Sequence, residues 1–354
     1  MSGIKLLHLA DLHLGRKITH LSKEKRQIRI SELLLSFSDI LMQFNDADIV
    51  LISGDLFDGD CEDSVITYIC KIFGVHSEKR FFICCGNHDP LSSAPIQKLI
   101  ELKPSNVYLF GDSVECIKID ELGLRIYGVS FSSNNSYASL ISGFNAPIDD
   151  YLNIMVLHAD VGADSQYNPV SYEDIEQSNL NYLALGHVHN FSGIKKRKGT
   201  YYSYPGVHEP CGFDETGECG VIYGCISKET CDVEFYPTSK RNYVSFEFDL
   251  SNFNSNEELI TELRTLVDDT NFYKINLVGR KKFTLHLNTF EELLGCFYVE
   301  FVDSTINEDD ILNYTNELSL RGKTANHLLK LKDAQDEETF SLVREYLTEL
   351  LCRD

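Results

Sequence analysis

Lys5–Leu14 reads KLLHLADLHL, an apolar run that ends abruptly in two metal-ligating residue types, Asp11 and His13. The same pattern returns four times. Ile49–Ser53 precedes GDLFD at 54–58, Phe81–Cys85 precedes GNHD at 86–89, Ile154–Leu157 precedes His158, and Tyr182–Leu185 precedes GHVH at 186–189. Short runs rich in β-formers, with little polar alternation, read as strands buried on both faces. The stretches between them are helical. Lys25–Phe44 puts Ile30, Leu33, Leu34, Phe37 and Leu41 on one face, and Asp63–Phe73 is similar. Strands alternating with helices predict an α/β layered fold with ligands at the strand ends.

The texture changes near Arg241. Tyr243–Phe248 alternates, Glu257–Val267 has helical spacing, Lys274–Val278 and Phe297–Val302 read as strands, and Phe290–Leu294 is a helical turn. Ser304–Asp310 is polar and acidic and reads as a linker. Two helical stretches follow, Leu312–Leu331 and Glu337–Leu351, the latter with a stripe of Phe340, Val343, Leu347 and Leu350. The expected boundaries are 1–240, 241–303 and 304–354.

Composition sets limits. The 354 residues are 43% hydrophobic and 24% charged, as in an ordinary globular protein. No apolar run approaches the roughly 20 residues that span a bilayer. Met1–Ala10 reads as a strand rather than a signal peptide. The 11 cysteines form no C-x-x-C spacing and are expected as thiols in a reducing, cytoplasmic setting. With 32 basic against 54 acidic side chains the net charge is −22, which argues against DNA binding by the overall field. Any nucleic-acid contact must use a local basic patch, a metal cluster or a partner. Basic candidates are Arg16 and Lys17 after the first motif, and Lys195, Lys196, Arg197 and Lys198 after the last.

The candidate ligands are Asp11, His13, Asp55, Asn87, His158, His187 and His189. If the chain stays extended, Asp11 and His13 project to the same side. Mixed N/O donors suit Mn, Fe or Zn alike. Seven side chains exceed one open site but suit two divalent ions sharing a carboxylate. Such a pair clamps the attacking and leaving oxygens of a phosphoryl transfer and makes hydroxide available at neutral pH.

The five motifs resemble the signature of calcineurin-like metallophosphoesterases. The resemblance implies a four-layer αββα sandwich, with a small α+β capping domain and C-terminal helices. It also implies that Asp11, His13 and His189 hold one metal, that Asn87, His158 and His187 hold the other, and that Asp55 bridges them. His88 matches the histidine that acts on the leaving oxygen, and Asp58 the carboxylate that orients it. The closer similarity is to the SbcD-like DNA-repair exonucleases, the nuclease subunits of SbcCD-type complexes. It rests on KLLHLADLHLGR at 5–16 and on Tyr204-Pro205-Gly206 followed by a Glu/Gly-rich turn. Those nucleases commonly carry His where this chain has Asp58. The resemblance implies a DNA exo/endonuclease, an SMC-like coiled-coil ATPase docked at 304–354, a homodimer and no membrane. A phosphodiesterase for a small nucleotide-type substrate is the alternative within the fold, and a non-catalytic scaffold the alternative outside catalysis.

Overall fold

The computed structural model describes residues 3–59, 61–162, 164–307, 310–332 and 336–352. It divides into two compact units, Met1–Asn242 and Tyr243–Asp354.

The first unit runs β1 (Ile4–Leu9), α1 (Lys23–Gln43), β2 (Ile49–Ser53), α2 (Asp63–Val75), β3 (Arg80–Cys84), α3 (Ala94–Leu102), β4 (Val107–Leu109), β5 (Glu115–Ile119), β6 (Leu124–Val129) and β7 (Leu152–His158). A two-residue ladder, β8 (Asp160–Val161) with β9 (Pro169–Val170), follows. Then come α4 (Tyr172–Gln177), β10 (Tyr182–Gly186), β11 (Lys195–Arg197), β12 (Thr200–Ser203), β13 (Gly220–Ile226) and β14 (Cys231–Pro237). Two six-stranded sheets result, ordered β14-β13-β1-β2-β3-β4 and β11-β12-β10-β7-β6-β5. Their centres are parallel, β1 to β4 in one and β6, β7, β10 and β12 in the other. The antiparallel strands lie at the margins.

Alternation decides which residues face which layer. Leu6, Leu51, Phe82, Ile154, Val156, Tyr182 and Ala184 meet between the sheets. Met155, Leu157, Leu183 and Leu185 face the opposite side of the second sheet, where Ile175 of α4 and the surrounding loops cover them. That outer layer is thin, since α4 is six residues long. The helix face expected for α1 packs inward through Leu33, Phe37 and Leu41, joined by Ile40, and Phe37 stacks edge-on against Phe73 of α2. Helix α1 begins two residues earlier than its spacing predicts, because the Ser22 side chain accepts from Lys25 N. The fold is the expected αββα sandwich.

The sheets approach closely at Gly186. A Cβ there would lie 1.8 Å from the Ser53 carbonyl oxygen. A polar tie crosses the same gap. Ser53 Oγ donates to the Ala184 carbonyl (3.0 Å), which leaves it an acceptor for His8 Nε2–H (3.1 Å), while the Tyr182 hydroxyl donates to His8 Nδ1 (3.0 Å). Burial pushes His8 down to about 3, so the ring is neutral and both nitrogens are used.

The second unit contains β15 (Tyr243–Asp249), α5 (Asn256–Leu266), β16 (Phe272–Val278), β17 (Arg280–Lys281), α6 (Phe290–Leu294), β18 (Tyr298–Asp303), β19 (Ile306–Asn307), α7 (Leu320–Leu331) and α8 (Glu337–Leu351). Strands β15, β16 and β18 form a parallel sheet around Leu259, Leu263, Ile275, Leu277 and Phe290. Two expectations are corrected here. Leu312–Leu331 is not one helix: Ile311–Tyr314 is a 3-10 turn, and α7 starts only at Leu320, where Ser319 accepts from Gly322 N. The α8 stripe also splits. Phe340 and Leu347, seven apart, pack with Ile311 and Leu328, whereas Val343 and Leu350 are exposed. Of the expected linker, residues 308 and 309 lie outside the described residues. Among the described residues no helix is long and apolar enough to cross a membrane, and all 11 cysteines are free.

Gly186→Ala therefore forces backbone apart at the join of the sheets and should cost about 3 kcal/mol or more by overpacking. Gly199→Ala, where an added Cβ meets nothing within 4 Å, should leave the urea midpoint nearly unchanged. Equal midpoints for the two variants would refute the account of the join.

Candidate metal centre

Strand geometry delivers the first ligand candidates. In β7, Ile154 and Val156 face the opposing sheet, and His158 continues that face at the strand's end, fully buried. Its Nδ1 lies 3.0 Å from the Ser53 carbonyl, which only accepts, so Nδ1 carries a proton and, in the neutral ring, Nε2 holds the lone pair. Gly54, at φ 88°, leaves room for this ring, since a Cβ there would lie 2.3 Å from His158 Nδ1.

Loops deliver the rest, and not by the extended geometry expected for Asp11 and His13. Asp11 (φ 51°), His13 (φ 43°), Asp55 (φ 50°) and His187 (φ 108°) all sit in the left-handed region. Non-glycine residues hold such conformations only where surroundings impose them, and they gather at functional sites. Here the imposing contacts are visible. Asp11 N donates to the Gly54 carbonyl (3.1 Å), His13 N to the Asp55 carbonyl (2.9 Å), and His187 N to both carboxylate oxygens of Asp11 (3.0 Å each).

The side chains converge. Asp11, His13 and His189 offer ligand atoms within 4.8 Å of one another, as do Asp11, Asp55 and His158. His13 Nε2 and His189 Nε2 face each other at 3.2 Å. Asn87 Oδ1 lies 2.9 Å from His158 Nε2, and the His187 ring packs edge-on against His158 at 5.2 Å between centroids. Asp55 Oδ2 lies 3.8 Å from His13 Nε2 and 3.5 Å from His158 Nε2, while Asp55 Oδ1 accepts from His88 N at 2.9 Å. One oxygen is thus held by backbone and the other faces both imidazoles.

The electrostatics fit cations. Asp11 and Asp55 are each 1% exposed, and among the described residues their ion-pair partners are histidines alone. Burial raises Asp11, with His158 opposing. For Asp55 burial is opposed by His158, His13 and His88 and by the hydrogen bond from His88 N, which together hold it below the usual carboxylate range. Burial and His158 lower His187 to about 4, which leaves a neutral donor. Buried carboxylates and lone-pair nitrogens aimed at one place are a donor set for divalent ions.

His88 stands at the rim, its side chain 51% exposed, with Nδ1 3.2 Å from Asp58 Oδ1. That hydrogen bond raises His88, and His13 and His88 together hold Asp58 well below the carboxylate range. Asp58 also lies 3.7 Å from His13 Nδ1, so one carboxylate touches both rings.

The basic candidates fare differently. Arg16 Nη1 is engaged with Glu215 Oε1 at 3.0 Å, and Lys17 is exposed. Lys195, Lys196 and Arg197 form the edge strand β11. Lys195 pairs with Tyr202, in line with Leu183, three residues short of Gly186. At about 3.3 Å per residue that is roughly 10 Å below the ligand end of the sheet, and Arg197 lies a further two residues away. The hairpin turn at Lys198 thus points away from the metal ligands rather than bordering them. Lys196 lies over Tyr201, and Arg197 lies over Tyr172 with Glu176 at 3.7 Å.

Two buried acids escape sequence reasoning. Asp89 accepts from Gly86 N (2.8 Å), Phe57 N (3.1 Å) and Asp55 N (3.2 Å), tying the GNHD loop to the GDLFD loop. Glu215 lies 2.8 Å from His189 Nδ1. Asp89 stands inside a quoted motif and Glu215 inside the quoted Glu/Gly-rich turn, but no spacing rule distinguishes them from surface acids.

Asp89→Ala should leave three backbone donors without an acceptor, each costing about 1–3 kcal/mol. A loss of at least about 3 kcal/mol is expected in urea unfolding of the metal-free protein. A loss under 1 kcal/mol would remove Asp89 from this role.

The calcineurin-like phosphoesterase family model matches residues 4–191. The metallophosphoesterase YhaO of Bacillus subtilis (strain 168), itself uncharacterized, is 26% identical over 254 residues, covering 66% of this chain and 60% of YhaO. This chain therefore spans less than two thirds of that relative. The DNA double-strand break repair protein Mre11 of Saccharolobus solfataricus is 23% identical over 342 residues, covering 88% of this chain and 86% of Mre11. Among solved structures, TT1561 of Thermus thermophilus is similar at a TM-score of 0.40 and 12% identity, over 67% of this chain and all of that one.

Proposed function

Since this chain belongs to the calcineurin-like phosphoesterase family, a family of dinuclear metallohydrolases, we propose that it is a divalent-metal-dependent DNA exo/endonuclease of the cytoplasm. The observation that carries the metal part is Asp55 Oδ2, poised between His13 Nε2 and His158 Nε2. In this reading Asp11, His13 and His189 hold one ion, Asn87, His158 and His187 the other, and Asp55 both. Manganese is the ion proposed, and Fe or Zn accept the same donors. Two such ions supply charge neutralisation for a phosphate and lower the pKa of water.

The chain's own residues do the rest. His88, half exposed and with Nδ1 held by Asp58, can give a proton or hydrogen bond to a phosphodiester's leaving oxygen. Asp58 orients that ring. The NH-directed oxygen of Asp55 and the Ser53 carbonyl behind His158 keep the ligand frame from turning.

DNA as substrate is supported by the similarity to the Saccharolobus Mre11 along most of both chains, which reaches into the second unit. An SMC-like coiled-coil ATPase docked at residues 304–354, and a homodimer, belong to the same proposal. Three observations favour a second reading, a small nucleotide-type diester. The chain carries a net charge of −22, Arg16 is paired with Glu215, and the Lys195–Lys198 hairpin lies away from the ligands. Of the basic candidates, Arg16 is thus engaged within the site and four lie away from the ligands, which favours a short substrate over a long polyanion.

With Mn the protein should degrade linear double-stranded DNA, and EDTA should abolish this. His88→Ala should lose about 10²–10⁴-fold in kcat while still binding two ions. Turnover of bis-p-nitrophenyl phosphate or a dinucleotide far above that of DNA would select the second reading. Undiminished cleavage by His88→Ala would remove His88 from catalysis.

A further inference from the structure

Glu215 is 2% exposed, yet it belongs to a loop with no metal-ligand motif. Each of its oxygens is occupied. Oε1 accepts from His189 Nδ1 at 2.8 Å and from Arg16 Nη1 at 3.0 Å, and Oε2 accepts from Cys211 N at 2.5 Å. A carboxylate accepts only, so His189 must carry its ring proton on Nδ1. In the neutral ring this leaves the lone pair on Nε2, the atom that faces His13 Nε2 at 3.2 Å. The His189 side chain is 29% exposed, so packing alone does not stop its ring from turning. Glu215, by contrast, is anchored from two further directions, by the loop backbone at Cys211 and by the guanidinium of Arg16, which leads out of the first motif.

We propose that Glu215 is a positioning residue for the metal centre. It fixes the tautomer and orientation of His189 and strengthens Nε2 as a donor to a divalent cation, while Arg16 holds Glu215 and balances its charge. Carboxylates behind ligating histidines act in this way, and their loss commonly weakens metal affinity 10–100-fold. Arg16 is thereby reassigned from a contact to substrate phosphate to a support of the ligand shell. This inference rests on the reading of His189 as a metal ligand.

The test is titration of the metal-free full chain with Mn²⁺, followed by calorimetry and by electron paramagnetic resonance of free Mn²⁺. The variants are Glu215→Gln, Glu215→Ala and each of these combined with His189→Ala. The wild type should bind two ions. Glu215→Gln, which keeps an acceptor but loses the charge, should weaken one of them about 10-fold, and Glu215→Ala about 100-fold, with the other ion changed less than the first. In the His189→Ala background both substitutions should change Mn²⁺ affinity less than 2-fold, because the ring they position is gone. Thermal unfolding of metal-free Glu215→Gln should match the wild type within a few degrees.

Two ions bound by both single variants at wild-type affinity would overturn the positioning role alone. The same fold-change with and without His189 would overturn it too, as would loss of fold in both metal-free variants, which would make Glu215 a loop anchor. A wild type that binds no Mn²⁺ would instead overturn the metal reading on which the inference rests.

Discussion

The site depends on how closely two sheets can approach at the C-terminal ends of their parallel strands. At Gly186 the backbone of one sheet passes so near Ser53 of the other that no side chain fits between them. That closeness lets one residue serve both layers. The Ser53 hydroxyl ties His8 and Ala184 across the gap, and its carbonyl sets the tautomer of His158. A backbone carbonyl cannot rotate away as a side chain can, so the imidazole inherits the rigidity of the sheet. Preorganised donors of this kind do not have to be reordered when a charge arrives.

The electrostatic arrangement follows from the same closeness. Asp11 and Asp55 are driven into a space that water hardly reaches, and the residues packed against them are histidines, not lysines or arginines. Charges buried in this way are costly unless counter-charged. Several supporting contacts keep them in place. Asp11 is gripped by His187 N, Asp55 by His88 N, and the loops carrying Asp55 and His88 are joined through Asp89. Left-handed backbone at Asp11, His13, Asp55 and His187 is the conformational cost of this convergence, and the surrounding hydrogen bonds offset it.

Around this frame the carboxylates divide into those that face the ligand space and those that stand behind it. Asp55 turns one oxygen each way. Asp58 reaches both His88 and His13, and Glu215 reaches His189 from behind while Arg16 holds it. Strong local charge is thus paired inside the site, which is why an acidic chain can still present a centre suited to a phosphate.

The repeated unit of an apolar run closed by Asp, His or Asn made the strands, their burial and the α/β layering legible and picked out seven side chains of ligand type, because strand burial and ligand chemistry are both local properties of residue type; the αββα class came from the family resemblance. The left-handed turns at Asp11 and His13 were not legible, since only the opposing loop from Gly54 to Asp55 imposes them. Nor were the roles of Asp89 and Glu215, which look like surface acids until distant segments bury them. The Lys195–Lys198 run follows the last ligand motif in sequence, yet strand register carries it away from the ligands, because β11 doubles back along the sheet edge. The α8 stripe split for a similar reason: helical spacing shows which residues share a face, but not which neighbour covers it. Sequence alone determined which side chains have ligand chemistry and which strand each one ends or follows. Tertiary structure decided which oxygen or nitrogen of each points inward, because tautomer, backbone strain and charge pairing arise only when segments far apart in the chain come into contact.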